Sequence, residues 1–414
     1  ALLADPGNAL FHLTDPRGAS DKSGRTFNNP YQYFFEQMHM DDAIYADESI
    51  YEYPMQQGGG NDGRPYSFGR PSSGGSKAAY PCKSYGQGRI NPAYFYGVFD
   101  PNDMRRDVSI TMTGSNGKGV EKLIPFVPNS KAEGGGLTLN KWDENRQANP
   151  WVAAQRKSGI NGPYMRMSEV YLGYAEVCAA LGDVVTGKQY LKTVRERSFP
   201  QGLANTDAFI ASFGNDLVRA IIEERGFEYA GEGDRRWTLI RSGYLPEDIK
   251  RIKDMTKAMM DGLATKGYYE FENGNIISAY IWTKLVDAKT IYGHRLTAQC
   301  PTDKVNDPVL YPGWRGQKDN WEEMGLNYGS STPATNLAIK GLFEIVSEEE
   351  AASLESQGYA KVNWGIDLVD YRDEYDKYLF WDYDYVSAPI YLWPFTPNVM
   401  AAGGFTNGYG FKQE

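Results

Sequence analysis

The hydrophobic positions of residues 164–183 repeat with the period of an amphipathic helix. These positions are Met167, Val170, Tyr171, Tyr174, Ala175 and Cys178. Gly182 and Asp183 then supply a stop and a turn before a second helical pattern. The second pattern predicts inward positions at Tyr190, Leu191 and Val194, and outward positions at Lys188, Lys192, Arg195 and Arg197. Such a tetratricopeptide-like helix hairpin cannot bury its apolar face alone, so it must stack on other helices.

Shorter patterns extend this picture along the chain. Further helices are predicted over 217–230, 247–264, 336–344 and 347–357, with Asn215 or Asp216 capping the first and Ser347 with Glu350 forming a capping box at the last. Short strands are predicted over 109–113 and 122–127, and a buried strand is expected before residue 52. No period is found over 56–97, and the tail from residue 364 has a loop-like composition. The predicted fold class is mainly α, with helix hairpins packed against a loop-rich region that carries short strands.

Four motifs follow one another along the chain: two before the hairpin, one within it and one after it. They are an Asp-x-Arg step in FDPNDMRRD (99–107), a Lys-Trp pair in LNKW (139–142), MRMSEVYLGYAE (165–176) and ERGFEYAGEGDRRWTLIR (224–241). In this order they resemble the SusD/RagB family of surface nutrient-binding lipoproteins of Bacteroidetes, over about residues 28–245. The closing LWPF (392–395) and NGY (407–409) are similar to the family's C-terminal pattern, with a looser match at Phe395.

The resemblance implies one SusD-like unit over 1–414, with a helical-repeat core at 164–245. It also implies a surface-exposed outer-membrane lipoprotein that captures nutrient oligomers and passes them to a SusC-like TonB-dependent transporter. Family members begin with a lipidated cysteine and a long helical N-terminal half, whereas this sequence begins at Ala1 without a signal peptide. We therefore expect the chain to be the C-terminal portion of a longer protein, with its membrane attachment in a lipidated N-terminus that this sequence does not contain.

Composition narrows the classes of partner. The formal net charge of -10 argues against nucleic acid or an anionic membrane surface as the main partner. Aromatic residues make up 14% of the chain, and 30 of them are tyrosines, whose flat faces and polar hydroxyls suit sugars and peptides. Three cysteines are too few for a disulfide framework. Cys178 is predicted to be a small buried hydrophobe, and pairing of Cys82 with Cys300 stays open.

Signatures of catalysis are sparse. The three histidines, His12, His39 and His294, are isolated from one another in the sequence, so neither a zinc motif nor a Ser-His dyad is indicated. We expect no enzyme activity and no cofactor. Two alternatives stay open: glycoside hydrolysis by the pair Asp382 and Asp384, and calcium binding by an acidic run. That run comprises Asp367, Asp370, Asp373, Asp376, Asp382 and Asp384, and a solvated acidic surface is the favoured interpretation.

The candidate ligand-binding loop is 56–97, because a long loop with regularly spaced tyrosines is typical of a functional loop rather than of a disordered linker. Its aromatic faces would come from Tyr80, Tyr85, Tyr94 and Tyr96, and its polar edge from Arg89 and Asn91, with Trp314 as a further candidate. The alternative is that several of these tyrosines pack the loop against the helices. The expected ligand is an oligosaccharide; a peptide is the alternative within the same family.

The charged motif around residues 223–236 permits two interpretations. The block consists of Glu223, Glu224, Arg225, Asp234, Arg235 and Arg236. These charges could bind ligand, or they could pair between adjacent helices and fix their packing. We favour pairing, because the block lies on predicted helix rather than loop.

Overall fold

The structure of the chain is a computed structural model. The residues that it describes are 2–4, 10, 19–20, 26–27, 31, 34–35, 48–56, 58–59, 68–69, 88–115, 121–126, 136–142, 157–199, 202–287, 335–372, 391, 395–404 and 406.

Helices dominate these residues, which confirms the predicted mainly α fold class. They are α1 (Pro92–Gly97), α2 (Arg105–Ser109), α3 (Met167–Ala180), α4 (Val184–Arg197), α5 (Thr206–Ala211), α6 (Leu217–Glu228), α7 (Asp234–Ser242), α8 (Leu245–Lys266), α9 (Glu348–Ser356), α10 (Gly365–Asp370) and α11 (Pro397–Gly403), with a 3-10 turn at Leu2–Ala4.

The strands are short and pair antiparallel. They are β1 (Ala19–Ser20), β2 (Thr26–Phe27), β3 (Ser49–Tyr53), β4 (Ile110–Thr111), β5 (Thr113–Ser115), β6 (Glu121–Leu123), β7 (Thr138–Leu139), β8 (Gly162–Arg166), β9 (Tyr268–Glu270), β10 (Ile276–Ser278), β11 (Tyr280–Asp287), β12 (Thr335–Lys340) and β13 (Ala360–Asn363). The pairs are β1–β2, β3–β8, β4–β7, β5–β6 and β9–β10, and a three-stranded sheet has the order β12-β11-β13. β4, β5 and β6 lie at or near the strands predicted over 109–113 and 122–127.

Helices α3 and α4 form the predicted hairpin. Gly182 has a φ of +86° at the turn, and the Asp183 carboxylate caps α4 by accepting from the Thr186 amide at 3.1 Å. Leu172 and Ala175 of α3 lie in one core with side chains of α4, α5 and α6, so the hairpin stacks on further helices as expected. Cys178 is buried as predicted, whereas Tyr174, predicted to face inward, is exposed.

Arg195 and Arg197 of α4 contradict the sequence pattern. Both were predicted to face solvent, because charged side chains rarely enter a core. Both are buried. Arg195 donates to Glu224 at 2.6 Å, and Arg197 donates to Glu48 and to Glu228. Burial is possible because each guanidinium finds carboxylate partners that come from other parts of the chain.

A second core lies between α1, α8 and the β11–β12 pair. Residues 336–344 were predicted to be helical, but β12 occupies 335–340 and pairs with β11 along its whole length, with Leu337, Ala338 and Ile339 all buried. Residues 92–97, where no period was found, form α1, which Asn91 caps. The predicted caps at Asp216 and Ser347 are confirmed. The tail after residue 364 contains α10 and α11 where loop was expected.

Candidate functional site

The four sequence motifs meet in one buried charge network. Its members are Glu48, Asp103, Glu224, Glu228, Glu232, Arg105, Lys141, Arg166, Arg195 and Arg197. Their side chains are at most 6% exposed, and five basic groups balance five carboxylates. Charges leave water at a high cost unless they are paired and hydrogen-bonded, so this balance is what makes the cluster tolerable inside the protein.

Glu228 at the end of α6 is the centre of the network. Its carboxylate accepts from Arg166 at 2.5 Å, from Arg105 at 3.2 Å and from Arg197. Its backbone carbonyl accepts from Tyr31 and from Lys141 at 2.7 and 2.9 Å. Burial alone would raise the pKa of Glu228, but the guanidinium groups outweigh it and hold the pKa well below its usual range. Glu228 is therefore an ionised carboxylate without a proton to donate.

A second buried cluster joins α6, α7 and α8, in line with the predicted pairing of the charged motif. Glu223 accepts from Arg235 at 2.8 Å and from Arg251 at 2.8 Å. Although burial acts to raise the pKa of Glu223, these two arginines lower it to about 2. Arg225 pairs with Asp234 across the α6–α7 turn. These motif residues thus join α6, α7 and α8 through ion pairs.

The described part of the predicted ligand loop is largely engaged with the scaffold. Asn91 caps α1 by accepting from the Ala93 amide at 2.8 Å, and it also accepts from the Thr256 hydroxyl at 3.2 Å. Tyr94 packs its ring against Phe99 with 5.5 Å between centroids. Tyr96 is fully buried, which agrees with the alternative in which loop tyrosines pack against the helices and leaves no face of this ring open to a sugar. Arg89 is half-buried beside β7.

Several predicted residues lie outside the described residues. They are Tyr80, Tyr85, Trp314, Cys82, Cys300, Asp373, Asp376, Asp382 and Asp384. Over the described ranges, no group of three or more His, Cys, Asp or Glu side chains is placed to hold a metal ion.

An exposed aromatic surface lies instead on the β3–β8 pair. We name the set Tyr51, Tyr53 and Tyr164 the tyrosine face. Their side chains are 56%, 53% and 72% exposed. Tyr51 and Tyr53 are two positions apart on β3, so they share one side of the strand, and Tyr164 lies at an irregularity in the register of β8. Exposed aromatic residues that cluster in this way are typical of a binding surface.

The rings and the polar groups beside them have a defined geometry. Tyr51 and Tyr164 make an edge-to-face contact with centroids 5.6 Å apart and an interplanar angle of 86°. Glu52 lies between Tyr51 and Tyr53 on β3 and therefore points to the other side of the strand. There its carboxylate accepts from the Asn161 amide at 2.7 Å, and the Asn161 oxygen accepts from the Met55 amide at 2.8 Å. The tyrosine face itself therefore presents aromatic ring surface and phenolic hydroxyl groups.

The sequence analysis did not find the tyrosine face. Tyr51 and Tyr53 flank Glu52 in a short alternating pattern that is a usable strand signal. The neighbouring Tyr164 is more than a hundred residues away along the chain, and only the antiparallel pairing of β3 with β8 brings it alongside.

Comparison with known proteins decides the family. A family model described as the SusD family matches residues 13–394. The chain belongs to the SusD family. A curated relative, the SusD-like protein P25 of Formosa agariphila, is 28% identical over 160 residues, which cover 38% of this chain and 26% of the relative.

Two solved structures of proteins from Bacteroides thetaiotaomicron are also similar to this SusD-family chain. A SusD homolog is 19% identical over 56% of this chain and 47% of its own, with a TM-score of 0.41. A surface glycan-binding protein A solved in complex with laminarihexaose is 17% identical over 59% of this chain and 49% of its own, with a TM-score of 0.37. The chain thus spans about a quarter of the length of the curated relative and about half the length of these structures. Among the described residues of this SusD-family chain, no helix has the length and apolar character that crossing a membrane requires.

Proposed function

We propose that this SusD-family chain captures oligosaccharides on the tyrosine face, without breaking a bond, and delivers them to a SusC-like TonB-dependent transporter in the outer membrane. The observation that carries the proposal is the exposure of Tyr51, Tyr53 and Tyr164 together on the β3–β8 pair. Delivery, surface exposure and lipid anchoring rest on the family to which the chain belongs.

The chemistry of a sugar matches that of the tyrosine face. A pyranose ring presents C–H groups on its faces, which pack on aromatic rings, and hydroxyls at its edge, which need hydrogen-bonding partners. The rings of Tyr51 and Tyr164 supply the aromatic surface, and the phenolic hydroxyls of the face can donate and accept hydrogen bonds. Tyrosine offers this contact area at a low cost in side-chain entropy, because it has few rotatable bonds. Tyr80, Tyr85, Arg89 and Trp314 stay predicted contributors to the same ligand surface.

Binding without catalysis is supported by the state of the buried carboxylates. A general acid must hold a proton near neutral pH. The pKa of Glu223 is lowered to about 2 and that of Glu228 still further, in each case because arginines outweigh the effect of burial. Both groups therefore act as fixed ion-pair partners and are poor candidates for glycoside chemistry.

Isothermal titration calorimetry of the purified chain tests the proposal. The panel comprises laminarihexaose, maltohexaose, xylohexaose, host-type glycans and a mixed peptide pool. Saturable heat with one class of glycan supports the proposal and identifies the ligand. Heat with peptides alone would assign the chain to peptide capture, for which exposed tyrosines serve equally well. Release of reducing sugar from a polysaccharide would overturn the non-catalytic part of the proposal.

A further inference from the structure

Glu48 lies at one end of the β3–β8 pair that carries the tyrosine face. It immediately precedes β3, three residues before Tyr51. One of its carboxylate oxygens accepts from Arg166 at 2.6 Å, and the other accepts from Arg197. Arg166 is the last residue of β8, two residues after Tyr164. A single buried carboxylate therefore joins the first strand of the pair, the end of the second strand and helix α4.

The ion pairs of Glu48 matter because the β3–β8 register is irregular. The β3–β8 register contains two shifts, one between Ser49 and Tyr51 and one between Tyr51 and Glu52. No residue of β3 is buried, so no core fixes which residue of β3 faces which residue of β8, and the register of such a strand is weakly specified. The ion pairs of Glu48 supply a fixed point at the buried end. Arg166 also donates to Glu228 at the end of α6 and to Glu232 in the turn that follows, so these ion pairs connect the β3–β8 pair to α6.

We propose that Glu48 is a positioning residue that sets the register of the β3–β8 pair and thereby the geometry of the tyrosine face. This inference rests on the proposed function for its effect on ligand, but its effect on the strands can be measured without ligand. The ring contact between Tyr51 and Tyr164 depends on the strand alignment, because the two side chains come from different strands.

Glu224 provides a matched control. It is also fully buried, and it also bridges two arginines, Arg105 at 2.6 Å and Arg195 at 2.6 Å. Its partners lie on α2 and α4, and neither belongs to the β3–β8 pair. Glu48→Gln and Glu224→Gln each replace a carboxylate oxygen by an amide that turns an N–H donor toward a guanidinium. Both variants should therefore lose stability in a similar way, and only Glu48→Gln removes an ion pair at the end of the β3–β8 pair.

The experiment compares the two variants by thermal unfolding, hydrogen exchange and calorimetry with the glycan that the wild-type chain binds. We expect a similar fall in Tm for both, faster amide exchange over 49–53 and 162–166 in Glu48→Gln alone, and an affinity loss of about tenfold in that variant, with Glu224→Gln within about twofold of wild type. Glu48→Asp keeps the charge and should recover part of the affinity and the protection. It also serves as the test variant if Glu48→Gln fails to fold, with Glu224→Asp as its control.

The outcomes separate the two proposals. Equal exchange rates over the two strands in both glutamine variants would overturn the positioning role of Glu48, whether or not a glycan binds. Equal affinity losses in both would overturn it as well, because they would reflect general destabilisation. A wild-type chain that binds no glycan overturns the proposed function, whereas the exchange measurement would still decide the role of Glu48.

Discussion

The indole N–H of Trp364 donates a hydrogen bond to the Tyr96 hydroxyl oxygen at 2.8 Å, although the two residues are 268 positions apart. Both side chains are fully buried. The Tyr96 ring also stacks on Phe271 with 6.1 Å between centroids and lies 5.3 Å from the Phe343 ring. The bond joins α1 to the residue just before α10. It satisfies the only hydrogen-bond donor of the indole ring, which would otherwise lose its contact with water without replacement.

Removing the Tyr96 hydroxyl should therefore cost stability but not ligand binding. We expect Tyr96→Phe to lower the free energy of unfolding by about 1–3 kcal/mol, because the Trp364 N–H is left unsatisfied in the core. Urea unfolding gives the change in stability, and calorimetry gives the glycan affinity. Wild-type stability together with weakened glycan binding would instead indicate that Tyr96 contacts the ligand.

Tyr164 should behave in the opposite way. Because its ring is exposed and lies against Tyr51, we expect Tyr164→Ala to weaken glycan binding by about tenfold, or 1.4 kcal/mol, with little change in Tm. Tyr164→Phe keeps the ring and should retain most of the affinity. Tyr174→Ala is the control, since Tyr174 is also exposed but lies on α3. Equal losses from Tyr164→Ala and Tyr174→Ala would exclude a specific role for the tyrosine face.

Local sequence signals predicted the longest helices, because caps and periodicity act over a few residues, but missed the short helices α1, α10 and α11. Asp216 and Ser347 cap their helices as expected, and the turn at Gly182 ends α3. Strand β12 was mistaken for a helix because its pattern is short and its pairing with β11 crosses 48 or more residues of sequence. A strand of this length is defined by its partner, which no local pattern reveals.

The buried charges mark the limit of the sequence analysis. Arg197 is buried because Glu48, 149 positions away, and Glu228 lie beside it. On a helix surface the same residue would face water, so the amphipathic pattern alone predicts the wrong side. The charged residues of the family motifs, such as Arg166 and Glu228, are buried for the same reason, and the proposed tyrosine face depends on two strands that are distant in sequence.

Lys141 should give the stability of the chain a distinctive pH dependence. Burial lowers the pKa of Lys141 from its ordinary value of 10.5 to about 8, and the attraction of Glu232 offsets burial only in part. Between these two values the unfolded chain binds a proton that the folded chain has released. The contribution of Lys141 to stability therefore rises with pH in this window, by at most about 1.4 kcal/mol per pH unit.

This contribution can be isolated by urea unfolding of the wild type and of Lys141→Met from about pH 8 to about pH 9.5. The range ends there because tyrosines of the unfolded chain begin to ionise near pH 10. The free energy of unfolding of the wild type, relative to that of the variant, should increase over the range. Glu232 keeps Arg166 as a partner in the variant, with 2.9 and 3.0 Å between the atoms. Parallel pH profiles in the two proteins would show that Lys141 does not titrate in this window.

The α3–α4 hairpin makes the last prediction. Ala175 is fully buried where α3 meets α4 and α6, and its carbonyl oxygen lies only 3.0 Å from the position that a Cβ at Gly187 would occupy. Because the helices approach this closely and Ala175 is fully buried, Ala175→Trp should destabilise the chain by about 1–3 kcal/mol through overpacking. Val177 lies two residues further along α3 and is 54% exposed, so Val177→Trp adds the same side chain at the surface and should be nearly neutral. Thermal unfolding of the two variants compares them directly. Equal Tm values would mean that α3 does not pack on α4 and α6 in this register.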